Sequence, residues 1–291
     1  MEERNHLDPA EITQKHVDLE KVLANKNVKL PRWALRMVER LLHLDKINET
    51  IYRLRDKFGL DFVHAFLEGN HPNDLNAKIE VVNPENIPTE GYPIIAGNHP
   101  LGGPDGLAVM AAVGRYRQDI KFPVTDFLLY LPGPAPLFVP IDKVNHKNTN
   151  VNALEEAFAG ENCLLYFPAG ICSRKQKGGE IKDLEWKPTF IKKAVRYHRD
   201  VVPFFFDAKN RKRFYNIAKL RERIGIKFNF EMALLPGEMF AQRGKTMHFI
   251  VGKPIPYTTF DNRHSAKEWA QMVKEYCYTL RDNPNASFVA K

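Results

Sequence analysis

Cysteine is scarce in this chain and acid is outnumbered by base. The three cysteines, Cys163, Cys172 and Cys277, have no metal-ligand spacing. So sparse and odd a count speaks against a disulfide framework and for a reducing compartment. No apolar run is long enough to span a bilayer. The uncharged stretch 127–141 is short and interrupted by Pro132, Pro134, Pro136 and Pro140, so any membrane contact is expected to be peripheral. The charged start, Met1-Glu-Glu-Arg, does not read as a signal peptide. Internal repeats and low-complexity tracts are lacking too. The net charge is +8 and the pI about 9.2. Such a surplus favours acidic partners: anionic lipid surfaces, acidic carrier proteins or nucleic acid.

What is present is organised around 93–107, Pro-Ile-Ile-Ala-Gly-Asn-His-Pro-Leu-Gly-Gly-Pro-Asp-Gly-Leu. Its apolar start reads as a buried strand ending at Asn98-His99, and Asp105 opens a helix expected over 105–116. A His at a strand end and an Asp at the next helix start can meet across a short loop. The carboxylate then sets the imidazole tautomer and stabilises the imidazolium, as a general base requires. The same residues also read as a turn in which His caps the strand and Asp the helix.

From 93 onward, short apolar runs alternate with helical stretches. Strands are expected at 94–97, 137–141, 163–167 and 201–206, and helices at 105–116, 151–159 and 188–198. This alternation predicts an α/β fold with a mixed, mainly parallel sheet flanked by helices. Further strands are expected at 77–82, 230–235 and 247–251. A closing helix is expected over 266–280, capped by Ser265. Asn152 with Glu155 reads as the capping signal of the 151–159 helix.

Before the sheet lies a segment, 1–72, read as an N-terminal helical hairpin preceding an α/β domain over 73–291. A loose helix is expected over 11–23. A sharper one over 31–45 gathers Trp33, Met37, Val38, Leu41, Leu42 and Leu44 on one face and Arg32, Arg36, Glu39 and Arg40 on the other. Such a helix suits a membrane interface, or packs as an ordinary surface helix. A second hairpin helix is expected over 47–68.

Four more stretches carry possible chemistry. In 137–143 a strand ends at Asp142-Lys143. In 164–175 a strand breaks at Pro168-Ala169-Gly170 and leads to Cys172, Ser173, Arg174 and Lys175, a place for an anion. Cys172 is a nucleophile only if a nearby base lowers its pKa. The aromatic run 201–207 reads as a core strand or an acyl-channel wall. The basic segment 209–227 reads as a solvated helix face, a membrane or carrier surface, or a nucleic-acid site.

Taken in order, these stretches resemble the glycerolipid acyltransferase family, which includes the lysophosphatidic acid acyltransferases, over about residues 75–255. The family's first block is Asn-His, four spacers and Asp; here Asn98-His99 and Asp105 enclose five. Phe138-Val-Pro-Ile-Asp-Lys143 is similar to the second block, Phe167-Pro-Ala-Gly-Ile-Cys-Ser173 to the third and Val202-Pro203 to the fourth. The resemblance implies transfer of a fatty acyl group from acyl carrier protein or coenzyme A to a lipid hydroxyl. The thioester is a co-substrate, and no other cofactor or metal is implied. His99 would deprotonate the acceptor, Asp105 would orient His99, and backbone N–H groups would hold the oxyanion. Asn98, Gly102, Gly103, Lys143, Gly170, Ser173, Arg174 and Lys175 become the candidate substrate contacts. The extra spacer separates His99 from Asp105 unless the Gly102-Gly103 loop absorbs it. Ala169, Ile171 and Cys172 replace the phosphate-binding residues of block three, so an acceptor other than glycerol 3-phosphate is expected. The Asn-His-Pro-Leu-Gly-Gly-x-Asp-Gly form resembles a hemolysin-like bacterial subgroup that includes lyso-ornithine and lyso-glycine lipid O-acyltransferases. Their acceptor carries a 3-hydroxyacyl chain and a carboxylate, which Lys143, Arg174 or Lys175 would pair. The resemblance also implies a cytoplasmic protein resting on the inner face of an anionic membrane, with no nucleic-acid partner. A lysophosphatidic acid acyltransferase, a thioesterase using the same His–Asp pair, and a non-enzymatic binding protein are the competing classes.

Overall fold

In the computed structural model of the chain, residues 8–24, 27–125, 128–141 and 148–290 are described, without the side chains of 148–152. In chain order come helices α1 (Leu19–Ala24), α2 (Arg32–Leu41), α3 (Leu44–Arg53) and α4 (Gly59–Glu68). Next are β1 (Lys78–Val82), β2 (Ile94–Gly97), α5 (Pro104–Gly114), β3 (Ile120–Thr125) and β4 (Phe138–Ile141). Then follow α6 (Asn148–Ala159), β5 (Cys163–Tyr166), β6 (Arg174–Lys175), β7 (Ile181–Lys182), α7 (Thr189–Arg196) and β8 (Val201–Asp207). The chain closes with α8 (Lys212–Arg223), α9 (Leu235–Phe240), β9 (Thr246–Val251) and α10 (Ala266–Thr279).

Among the described residues, a seven-stranded sheet runs β1-β9-β8-β2-β5-β3-β4, and β6 pairs with β7 in a small separate ribbon. All neighbouring pairs of the large sheet are parallel except β8–β9, so the sheet is mixed and mainly parallel. The central strands β2 and β8 are apolar because both of their faces are covered. Helix α5 is buried along its whole length and is accordingly apolar all round. One apolar cluster lies on the α4–α5 side, and a second is built by α6, α7 and α10. The expected cap of α10 is present as a full box between Ser265 and Glu268.

Three expectations fail. The stretch 230–235 is no strand: Phe230–Leu234 is a 3-10 turn running into α9. Pro236 opens that helix, where its missing N–H costs nothing, and Glu231 is fully buried against arginines. The 47–68 helix is two helices, because the chain leaves helical geometry at Leu54 and re-enters at Gly59, whose φ is +56°. The Gly59 N–H is held by the Gly133 carbonyl at 2.8 Å. With α1 before them, α2, α3 and α4 make the N-terminal part a run of four helices rather than a hairpin of two. Finally, α6 begins at Asn148, so Asn152 lies inside it and does not cap it. Strand β3, which the sequence pattern did not suggest, is continuous over Ile120–Thr125, its apolar run broken by Lys121 and Pro123.

Helix α4 falls within the 1–72 segment, yet Phe62, Val63, Phe66 and Leu67 are buried in the same cluster as α5 and the sheet. Leu67→Ala is therefore expected to lower global stability by about 2–5 kcal/mol in a single urea transition. A separate early transition for the first helices, with the main one unmoved, would contradict the shared core.

Candidate active site

Strands β5, β2 and β8 are adjacent and parallel, so the loops after them leave the sheet at one edge. That edge is where open α/β sheets place their ligands. The loop after β2 carries His99. Asn98 does not face a ligand: its side chain is buried and extends the β2–β8 ladder, donating to the Phe206 carbonyl at 3.0 Å and accepting the Phe206 N–H at 2.7 Å. This clamp fixes where the next residue begins.

The five-residue spacer does not separate the pair: His99 Nδ1 lies 2.9 Å from Asp105 Oδ2. The loop takes up the extra residue at Gly102, whose φ is +88°. A Cβ there would press on a Leu235 methyl at 2.8 Å, but it is the left-handed backbone that calls for glycine. Asp105 is fully buried at the start of α5. Its Oδ2 also accepts the N–H groups of Leu101 (2.8 Å) and Gly102 (3.2 Å), and Oδ1 accepts that of Gly106 (3.0 Å). Burial opposes ionisation, but the His99 charge and hydrogen bond, with the two loop N–H groups, outweigh it and hold the carboxyl below its usual range. An ionised Asp105 can only accept, so Nδ1 carries the proton and Nε2 presents a lone pair. Among the described residues, no hydrogen bond engages Nε2. The Phe167 ring from the loop after β5 stacks on the imidazole, with centroids 4.2 Å apart.

A second carboxylate, not singled out in the sequence, secures this loop from behind. Asp183 is buried and accepts from Ser173 Oγ (2.6 Å), Trp186 Nε1 (2.9 Å) and the His99 N–H (3.2 Å). Ser173 in turn donates its N–H to the His99 carbonyl at 2.7 Å. The main chain of His99 is therefore held on both sides. Burial pushes the Asp183 carboxyl above its usual range despite the donors around it. Asn210, following β8, donates to the Pro100 and Leu101 carbonyls. In the sequence Asp183 is one charge among several in Lys182-Asp-Leu-Glu-Trp-Lys187, which says nothing about a partner so far away in the chain.

Other candidates of block three are placed differently from expectation. Ser173 is consumed by Asp183 and is buried. Arg174 is buried too: it donates to the Cys172 carbonyl (2.8 Å) and pairs with Glu231 (3.2 Å), which also accepts from Arg221 (2.9 Å). A guanidinium used in this way is not free for a substrate carboxylate. Lys175 is exposed on β6. Lys143 lies outside the described residues. Gly170 turns with φ +71°, and the ammonium of exposed Lys187 stands 3.5 Å from where a Cβ on it would sit. Cys172 is no nucleophile, since burial pushes its thiol up to about 11. Strand β8 is core and walls no channel. Instead, an apolar groove of about 450 Å³ runs beside the His99 loop. Gly102, Gly103 and Pro104 form one wall, with Ile47 and Ile51 of α3, Phe62 and Phe66 of α4, and Leu235 and Met239 of α9 around it.

Asp183→Ala leaves the Ser173 hydroxyl and the Trp186 and His99 N–H groups without their acceptor, and is expected to cost about 3–5 kcal/mol in urea unfolding. Asp105 gives a pH signature. Its folded pKa lies below the unfolded value near 3.8, so its stabilisation is complete above about pH 4 and fades as pH falls through the folded value. Asp105→Asn is expected to be less stable at neutral pH and to lose that part of the acid slope. Unfolding free energies measured between pH 2 and 6, with equal slopes in both proteins, would refute the assignment.

The model of a family described as "Acyltransferase" matches residues 18–287. Two proteins named lyso-glycine lipid O-acyltransferase, from Phocaeicola vulgatus and Bacteroides thetaiotaomicron, are each 42% identical over 270 residues, 91% of this chain and 95% and 97% of theirs. A solved structure, the 1-acyl-sn-glycerophosphate (LPA) acyltransferase of Thermotoga maritima, aligns over 90% of this chain and 92% of that one, at 16% identity and a TM-score of 0.47. With the family match extending over nearly all of its length, and with relatives this similar, the chain belongs to the acyltransferase family.

Proposed function

We propose that this acyltransferase moves a fatty acyl group from a thioester to the hydroxyl of a lyso-amino-acid lipid, in the first place lyso-glycine lipid. The observation that carries the reading is the His99 imidazole. It is fixed by a buried, ionised Asp105, its Nε2 has no hydrogen bond among the described residues, and the loop that holds it walls an apolar groove. In the reaction Nε2 takes the proton of the acceptor hydroxyl as the oxygen attacks the thioester carbonyl. The oxyanion so formed is met by backbone N–H groups. It collapses with loss of the thiolate, which takes the proton back from His99, leaving an ester. No acyl-enzyme is required, in keeping with the inert Cys172. The groove suits an acyl chain, because apolar walls exclude water from one. The identity to lyso-glycine lipid O-acyltransferases supports the acceptor class.

With Arg174 tied to Glu231, the acceptor carboxylate falls to the exposed lysines beside the block-three turn, Lys175 and Lys187. The donor is a carrier-protein or coenzyme A thioester. The enzyme works on the cytoplasmic face of a membrane, held there peripherally. Among the described residues, no helix is long and apolar enough to cross a membrane. Helix α2 supplies one contact. Leu35, Val38 and Leu42 turn inward against the N-terminal cluster, while Trp33 (70% exposed), Met37 and Leu41 form an outward row beside Arg32, Arg36 and Arg40.

His99→Ala is expected to lower turnover by roughly 10²–10⁴-fold while staying folded by circular dichroism; because buried Asp105 loses one of its donors, the urea midpoint is expected to fall as well. Purified enzyme given an acyl thioester with lyso-glycine lipid, or with lysophosphatidic acid, is expected to esterify the former. Exclusive use of lysophosphatidic acid, or release of free fatty acid without a new lipid, would replace this reading with one of its competitors.

A further inference from the structure

The segment 219–230 carries no part of the chemistry, yet it exposes a concentration of apolar side chains. Phe228 is 78% exposed, Ile224 59% and Leu220 56%, and Ile226 and Phe230 are also open to solvent. Lys219, Arg223 and Lys227 are interleaved with them and exposed, against the single exposed acid Glu222. A soluble surface has no reason to hold a phenylalanine so far out. The patch is nonetheless carried on a firm support. The opposite face of α8, with Phe214, Tyr215, Ala218 and Arg221, is buried. Arg221 reaches across the turn to donate to the Ile226 carbonyl (2.8 Å) and to Glu231 (2.9 Å). Gly225, at φ +73°, ends the helix.

Beyond Phe230 the chain enters the groove wall directly, through Met232, Ala233 and Leu235. His43, just past the end of α2, sits against Phe240 of α9, with ring centroids 5.7 Å apart, and Leu42 and Phe240 both line the groove. Two exposed apolar and cationic rows, on α2 and on 219–230, therefore each lead directly into the lining of one groove.

We propose that 219–230 is an insertion surface for an anionic lipid bilayer, with Ile224 and Phe228 entering the acyl region and Lys219, Arg223 and Lys227 resting among the head groups. It is a second footing beside α2. The proposal builds on the acyltransferase reading given above, and says from which side a lipid acceptor reaches the groove. The charge pattern favours an anionic surface. The open phenylalanine and isoleucines favour the interior of a bilayer over an acidic carrier protein, which needs cations but not protruding apolar tips.

The experiment compares the full chain with Ile224→Glu/Phe228→Glu, after circular dichroism and thermal unfolding show that both are folded. Flotation with vesicles of phosphatidylcholine containing phosphatidylglycerol is expected to show binding weakened by about tenfold or more in the variant. Parent binding is expected to weaken with added salt. Turnover of an acceptor embedded in those vesicles is expected to fall in parallel, while turnover of the same acceptor in detergent micelles stays within about twofold. Lys219→Glu/Arg223→Glu, which leaves the apolar tips in place, is expected to lose the preference for phosphatidylglycerol. Unchanged vesicle binding in both variants overturns the proposal. So does normal vesicle binding with a raised KM for a carrier-protein thioester, which would assign the patch to the carrier. Flotation requires no turnover, so failure of the acceptor assignment leaves this test standing.

Discussion

A carboxylate cut off from water stays ionised only where donors replace its solvent, and the active site is built around that requirement at Asp105. Its two oxygens receive the imidazole and the N–H groups of Leu101, Gly102 and Gly106. Two of these donors belong to the very loop that joins His99 to Asp105. The loop can supply them only by turning through a left-handed glycine. The extra spacer relative to the family pattern is therefore part of the anion's solvation rather than a defect in it. Every other feature of the site serves to keep this loop in place: the Asn98 clamp on β8, Asp183 beneath the His99 N–H, Asn210 on the Pro100 and Leu101 carbonyls, and Phe167 across the ring. The elements contributing them are far apart in the chain and meet because three parallel strands end at one edge.

Legibility in the sequence followed the same division. Strands β2, β5 and β8 were readable because strands covered on both faces have to be continuously apolar. The His–Asp pair could be read because both partners sit on one short loop. Asp183, Glu231 and Asn210 could not, because their partners lie far off in sequence and local pattern carries no trace of long-range pairing. Strand β3 was hidden by Lys121 and Pro123, which its place near the sheet edge tolerates. Phe230-Glu-Met-Ala-Leu234 looked like a strand because a buried charge reads as a polar alternation until its arginines are seen.

Arg174 is the most instructive reassignment. As a motif residue it was a natural anion contact, but Glu231 has no exposure at all and takes both Arg174 and Arg221. Removing Glu231 from this group would leave buried positive charge uncompensated, the costly way to break such a set. The cation is thus committed to joining β6, α8 and the 3-10 turn before α9. The turn carries Met232 and Ala233 into the groove wall, so a residue that looked like a substrate contact is tied instead into the support of that wall.

The same commitment limits what the acceptor can be. A bidentate guanidinium at block three would match a phosphate well, and a lysine is a poorer substitute because it offers a point charge without the fork. Among the described residues, exposed Lys187 stands at the block-three turn beside Gly170, with exposed Lys175 following on β6, and a single carboxylate asks no more than a point charge. Phosphate esters and carboxylate lipids would meet the same imidazole and the same apolar groove. They differ only at this rim. Selectivity between them is therefore expected to reside in the lysines and not in the His99–Asp105 pair. Lys187→Ala would then raise KM for a carboxylate acceptor and leave kcat nearly untouched, since the charge lies away from the reacting oxygen and stabilises the bound acceptor and the transition state alike. Were kcat to fall with KM unchanged, the lysine would have to act on the oxyanion instead.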